Sequence, residues 1–204
     1  MTMRLYDTAV SGNCYKARLL LSLLDIKYEC VAVNLANMEQ KTAEFIAMNP
    51  LGKVPVLDDE GTIMRDSQAI LIYLAGKADA EQWWPRNSVE QANIMQWLSY
   101  AANEMFNGCA IARAAIKFKR PFNYEAAQKI ALAAFDLLEQ HLTDHEWLAL
   151  DHPTIADIAI YPYAALVWEG NISLTPYPAV RAWFRRIESL PGYVPMEGLP
   201  GPVE

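Results

Sequence analysis

The sequence has no C-x-x-C among its three cysteines, no apolar run long enough to cross a membrane, and no surplus of basic residues. Each absence excludes something. Cys14, Cys30 and Cys109 make an odd count without metal-ligand spacing, which argues against a disulfide scaffold or a zinc site and for a reducing compartment. The longest apolar runs, such as Leu19 to Leu24, fall far short of a bilayer span. The opening MTMRLYD has no apolar h-region, so no signal peptide is expected and the protein reads as cytoplasmic. Seventeen Lys and Arg against 24 Asp and Glu give a net charge of −7. That balance argues against a sequence-independent grip on nucleic acid phosphates, though a few local cations would suffice for a small anionic ligand. With 53% hydrophobic residues in 204 and no low-complexity stretch, the chain can bury a packed core in one or two domains.

The first third alternates strand and helix patterns. Met3 to Tyr6 reads as a short strand, Tyr15 to Leu24 as a largely buried helix, and Tyr28 to Val33 as a second strand. Glu39 to Met48 suits a short helix. Asn49-Pro50-Leu51-Gly52 is a turn signal before a strand at Val54 to Leu57. Asp59-Glu60-Gly61 suits a tight hairpin into Thr62 to Met64, and Ala69 to Ala75 closes the unit as a helix. This order implies one parallel strand pair and an antiparallel hairpin in the same sheet.

From about Ala78 strand signals disappear. Trp83-Trp84-Pro85 marks a connector, and Asn87 or Ser88 can cap a long helix, with Glu90 or Gln91 completing a capping box. Ile94, Leu98, Ala101, Met105 and Cys109 keep a helical period there, as do Ile130, Ala134, Leu137 and Leu138 within Tyr124 to Leu142. Thr154 and Asp157 form another S/T-x-x-[DE] start, and Pro162 should kink the helix that follows. Pro178 opens a last helix running to about Leu190. The fold class is therefore an α/β domain over residues 1–78 followed by an all-α domain over residues 86–204.

Three segments of the first domain can carry chemistry together. Ser11 stands at the entrance to the first helix, where free backbone N–H groups and the helix dipole stabilise an anion, including a thiolate. A plain N-cap is the bland reading. A Val54-Pro55 step at the start of a buried strand fits a cis bond that turns Val54's backbone outward to an extended peptide; the alternative is an edge strand with a trans proline. Asp66-Ser67 heads a helix. A hydroxyl and free amides there would take a carboxylate while Asp66 accepts from an ammonium group, unless the two are only a cap pair.

Together these segments resemble the cytosolic glutathione transferase family across nearly the whole chain. SGNCYKARLLLSLL is similar to the serine-type active-site stretch, with Ser11 seven residues before Arg18. NPLGKVPVLDDEGTIMRDSQAILIYL resembles the family's cis-proline and glutamyl-binding segment. PTIADIAIYPYA and YPAVRAWFRRIESLPGY resemble its capping-box and late helices. The resemblance implies a thioredoxin-like N-terminal domain, an all-helical C-terminal domain, a homodimer, glutathione as co-substrate without a metal, no nucleic acid or membrane partner, and a role in detoxification. It implies that Ser11 stabilises the glutathione thiolate with help from Asn13, that Val54 beside Pro55 pairs with the cysteinyl residue, and that Asp66 and Ser67 hold the γ-glutamyl head. Gln40, Lys41 and Lys53 match positions that reach the glycine carboxylate. Tyr100, Asn103, Met105, Phe106, Arg113 and Trp168 are candidate walls for a hydrophobic electrophile.

A hundredfold gain in thiolate over a free thiol requires about 2.7 kcal/mol of preferential anion stabilisation. A charge-assisted hydrogen bond at a helix N-terminus supplies that order of energy. Cys14 offers a rival chemistry, a glutathione-dependent disulfide reductase, but falls inside the first helical turn and reads as a buried structural thiol. Tyr6 sits too early for a tyrosine-type mechanism, and the SSC signature of the related maleylacetoacetate isomerases is absent. A non-catalytic relative that binds a protein partner is the remaining alternative. His141 and His145, four apart, read as exposed helix-end residues rather than metal ligands.

Overall fold

The computed structural model describes residues 3–199; residues 1, 2 and 200–204 of the two expected domains lie outside the described residues. Four strands, β1 (Arg4–Asp7), β2 (Glu29–Ala32), β3 (Val56–Asp59) and β4 (Thr62–Arg65), form one sheet in the order β2-β1-β3-β4. β1 pairs parallel to β2, with Leu5 opposite Cys30, and antiparallel to β3, with Leu5 opposite Leu57. β3 and β4 make the expected hairpin. Glu60 and Gly61 both adopt positive φ, as a two-residue primed turn requires, and Asp58 Oδ1 accepts from Gly61 N at 2.8 Å.

β3 begins at Val56 rather than Val54. Pro55 has no N–H to give to a ladder, so pairing starts one residue later and leaves Val54 outside the sheet. The segment Glu39 to Met48 is not one helix. A 3₁₀ turn at Glu39–Lys41 is separated from α2 (Ala43–Met48) by Thr42, whose extended backbone (ψ 153°) ends the first and whose Oγ1 caps the second by accepting from Phe45 N.

α1 (Gly12–Leu23) and α3 (Ser67–Lys77) pack against one another, and α1 also packs against α7 (Ile155–Ala165) from the helical half. One hydrophobic cluster therefore runs from Leu5, Leu20 and Leu57 through Ile70 to Leu98, Ile158 and Trp183. Residues 78–87 connect the halves, and Trp83 O accepts from Ile155 N at 3.1 Å.

Asn87 caps α4 (Ser88–Tyr100) by accepting from Val89 N and Glu90 N. The rod continues through a π-helical stretch, Ala101–Ala110, into α5 (Ile111–Lys117). Ile94, Leu98, Ala101, Met105 and Cys109 are all buried, as their spacing predicts, but the wider π turns carry the second half of the series. Gly108 lies so close to α6 that an added Cβ would stand 2.7 Å from Ala131 N.

α6 (Tyr124–Asp144) buries Ala127, Ala131, Ala134, Phe135, Leu138 and Leu142. Ile130 and Leu137 are 39% and 45% exposed instead of core, because they sit at the edge of that stripe. Thr154 and Asp157 form the capping box of α7. Asp157 also accepts from Leu148 N and Trp183 Nε1, which ties three segments to one buried carboxylate. Pro162 lies inside α7, which ends at Ala165 and passes into a 3₁₀ turn, Val167–Gly170. α8 (Pro178–Glu188) starts on its proline, and Glu139 of α6 supplies the missing cap by accepting from Ala179 N and Val180 N.

Candidate functional site

The loop from β1 to α1 is held at every carbonyl between Thr8 and Val10. Ser11 N donates to Thr8 O at 3.0 Å, Arg18 Nη2 to Ala9 O at 3.0 Å, and Arg113 Nη1 to Val10 O at 2.9 Å. Arg18 is itself fixed by Asp7, and Arg113 by a buried pair with Glu169, which Lys117 also contacts. Ser11 is thereby placed as the N-cap of α1, its Oγ accepting from Cys14 N at 3.2 Å. That Oγ also lies within hydrogen-bonding reach of the Cys14 side chain, and as a hydroxyl it can donate its proton as well as accept from the backbone.

A cavity of about 290 Å³ opens between the α1 and α3 N-termini, the segment before β3 and the π-helical stretch. Asn13 and Ser67 approach across it, with Ser67 Oγ 3.4 Å from Asn13 Oδ1 and 2.6 Å from Gln68 Oε1. Asp66 adopts φ +75° and caps α3 by accepting from Gln68 N and Ala69 N, so Ser67 is the first helical residue, not the cap. Val54-Pro55 is cis, and both residues line the cavity. Asn49 shapes the preceding turn by donating to Lys53 O at 2.7 Å and accepting from Leu51 N at 3.1 Å.

The lining carries three basic side chains, Lys16, Lys53 and Arg65, against the single carboxylate of Asp66. In a protein of net charge −7 this is a local positive field suited to an anionic ligand. Lys16, Arg65 and Gln68 were not among the sequence candidates. The signal for Lys16 was present: a lysine in an apolar helix, three residues beyond Asn13 and therefore on its face.

The structure thus brings together Asn13, Lys53, Val54, Pro55, Asp66, Ser67 and, from the helical half, Phe106. Ser11 stands two residues ahead of Asn13 and is not itself part of the lining. Gln40 and Lys41 lie behind the loop. Lys41 Nζ donates to Leu51 O at 3.2 Å, and Gly52, at φ +57°, leaves room for both side chain and backbone there.

Of the candidate walls, Phe106 faces the cavity and packs edge-on against Tyr163 at 6.3 Å. Tyr100 points to a separate groove between α4 and α6, donating to Ala134 O and packing on Trp97. Met105 is 1% exposed in the core, Asn103 is exposed and accepts from Asn107, Arg113 braces Val10, and Trp168 is 53% exposed on the 3₁₀ turn. Tyr100, Asn103 and Met105 do not share one wall: Asn103 and Met105, two residues apart on a helical rod, point to opposite faces, one to solvent and one to the core.

Cys14 is fully buried, and burial with the Asp7 charge pushes its thiol up to about 12. Tyr6 packs edge-on against Phe45 and lines a different surface depression from the cavity. His141 and His145 stack at 4.3 Å; among the described residues no group of three or more His, Cys, Asp or Glu side chains gathers as a metal site would require.

Comparison with known proteins fits this geometry. Residues 5–82 match the family model described as glutathione S-transferase, N-terminal domain, and residues 121–186 match that of the C-terminal domain. The crystal structure of a glutathione S-transferase from Pseudomonas fluorescens superimposes with a TM-score of 0.91 at 35% identity, covering 97% of this chain and 100% of that one. Maleylacetoacetate isomerase of Rhizobium meliloti is 31% identical, covering 84% of this chain and 85% of its own. Disulfide-bond oxidoreductase YfcG of Escherichia coli is 29% identical, covering 90% and 89%.

Proposed function

Starting from the chain's membership of the glutathione S-transferase family, we propose that the cavity binds glutathione and activates its thiol as a thiolate for attack on a hydrophobic electrophile. The observation that carries this reading is the convergence of Asn13, Val54, Asp66 and Ser67 on one cation-rich cavity. The α3 N-terminus with Ser67 receives the γ-glutamyl carboxylate, Asp66 accepts from its ammonium group, and Val54's backbone pairs with the cysteinyl residue. Lys53 reaches the glycine carboxylate. Lys41 acts by supporting the loop that carries Lys53.

The thiol then lies over the N-terminus of α1, where Ser11 Oγ–H donates to the sulfur and Asn13 assists. The electrophile approaches from the side of Phe106, Ala101 and Ala102, where the lining is apolar. The protein acts in the cytoplasm, as a homodimer, in detoxification. No helix of the described residues is long and apolar enough to cross a membrane.

Retention on immobilised glutathione, followed by a conjugation assay with a chlorinated dinitrobenzene, tests the reading. The parent is expected to bind and conjugate. Ser67→Ala is expected to weaken glutathione about tenfold, the effect of one lost hydrogen bond to a carboxylate, with an unchanged melting curve. A parent that neither binds nor conjugates contradicts the assignment.

A second reading comes from the relatives, a glutathione-dependent isomerase or disulfide reductase. The same assay with a mixed disulfide or a maleyl keto-acid as substrate separates these activities. In each of them the thiolate is the common chemical requirement, so the roles of Ser11 and Asn13 are unchanged.

A further inference from the structure

Lys16 projects from α1 three residues beyond Asn13, on the same helical face, and lines the cavity together with Asp66 and Ser67. It is 1% exposed. A buried ammonium is ordinarily paired, because desolvation of an isolated charge is strongly unfavourable. Among the described residues no hydrogen bond or ion pair reaches its Nζ. The closest company is the face of the Tyr163 ring, 5.4 Å away, and the charge of Asp66 acting at longer range. An unpaired donor group buried at the floor of a ligand cavity is a binding position waiting for its partner.

We infer that Lys16 receives an anionic group of glutathione in this cavity and takes up a proton as that group docks. The inference rests on the glutathione reading and assigns that site a further ligand contact. Burial lowers the Lys16 pKa to about 7, with Asp66 acting in the opposite direction, so near neutrality the empty cavity holds the amine in part of the molecules. Asp66 is the charged group that acts on Lys16; Arg65 from β4 and Lys53 from the segment before β3 line the same cavity. Tyr163 of α7, whose ring faces Nζ and whose pKa is pushed up to about 12, stays neutral beside it. An anion arriving next to Nζ, with water excluded, reverses the balance in favour of the ammonium.

Glutathione offers two such anions. If a carboxylate docks, solvent supplies the proton: amine, proton and carboxylate become an ammonium–carboxylate pair. If the sulfur docks, the S–H bond breaks as the N–H bond forms. Amine and thiol then become ammonium and thiolate with no proton exchanged with solvent.

Calorimetric titration in two buffers of unequal protonation enthalpy reads the proton count directly. Parent and Lys16→Met are each titrated with S-methylglutathione, whose sulfur cannot ionise, and with glutathione, at about pH 8. A carboxylate partner gives proton uptake with S-methylglutathione in the parent that Lys16→Met lacks. A thiolate partner gives no such difference for S-methylglutathione, but Lys16→Met then releases more protons than the parent on binding glutathione. In both cases the variant binds the relevant peptide about tenfold more weakly or worse.

Equal proton counts and equal affinities for parent and variant with both peptides overturn the inference while leaving the glutathione reading intact. Absence of binding in the parent overturns both. Should Lys16→Met not fold, Lys16→Gln replaces it in the same titrations, and proton counts and affinities equal to the parent's with both peptides refute the inference.

Discussion

Arg113 Nη1 donates to the carbonyl of Val10 at 2.9 Å, joining α5 of the helical half to the loop that positions Ser11. The same guanidinium pairs through Nε with Glu169 and lies 5.1 Å over the Phe118 ring, all in an environment where its side chain is 4% exposed. The helical half therefore fixes the backbone from which Ser11, the proposed thiol-activating group, projects.

Removing this guanidinium should loosen both stability and site. In Arg113→Met, Glu169 remains buried with only Lys117 to compensate it, and Val10 O loses its donor. A loss of about 3 kcal/mol is expected in urea unfolding, the usual order for breaking a buried pair from one side. Turnover at saturating glutathione should fall severalfold as the Ser11 loop relaxes. An unchanged unfolding midpoint would show that the pair does not brace the loop.

Lys16 gives the stability a pH dependence of definite sign. Its ordinary pKa of 10.5 applies to the unfolded chain, and the folded value is about 7. Between these values the unfolded chain holds a proton that the native protein lacks, so stability rises with pH through that window and is lowest below it. The slope is at most about 1.4 kcal/mol per pH unit. Lys16→Met abolishes this contribution. Relative to the parent, the variant should be most stabilised at about pH 6 and progressively less so towards about pH 9. A gap that is constant with pH contradicts the placement of Lys16 as an unpaired buried amine.

The three thiols should separate by reactivity. Cys14 and Cys109 are buried and their pKa values are raised by desolvation, whereas Cys30 is exposed on β2. Cys30 is also held above its ordinary value, by partial burial and then by the Asp7 charge, so it should react slowly at neutral pH and faster as pH rises. Alkylation of the native protein followed by mass analysis should modify Cys30, with Cys14 and Cys109 labelled only after unfolding. Rapid labelling of Cys14 in the native state would revive the cysteine-type chemistry.

What could be read from the sequence was what depends on neighbours along the chain. Ser11 before a helix, Thr154 with Asp157, Pro178 at a helix start and Glu60-Gly61 in a hairpin are decided within four residues, and the fold uses each of them that way. The strand start at Val56 and the break at Thr42 were missed by a residue or two, because Pro55 and a capping hydroxyl compete with the hydrophobic pattern.

The site's deeper parts depend on distant partners. Arg113 reads as a pocket cation until Glu169, 56 residues away, is seen to hold it. Lys16 stands in an apolar helix, and only the fold shows that its Nζ lies over the Tyr163 ring at the cavity. Of the candidate walls, Tyr100, Asn103 and Met105 fall on different faces of one helical rod, and which face meets the cavity depends on how that rod packs against distant segments.

The most direct measurement is the pKa of the thiol of glutathione bound to the protein, followed by the ultraviolet absorbance of the thiolate across pH. In the parent it should lie about two pKa units below the free thiol's value of ~8.5. In Ser11→Ala it should move back most of the way, in Asn13→Ala part of the way, and in Cys14→Ala not at all. A bound thiol that titrates like the free one in the parent, or a value that Cys14→Ala moves and Ser11→Ala leaves in place, contradicts thiolate activation at the α1 N-cap.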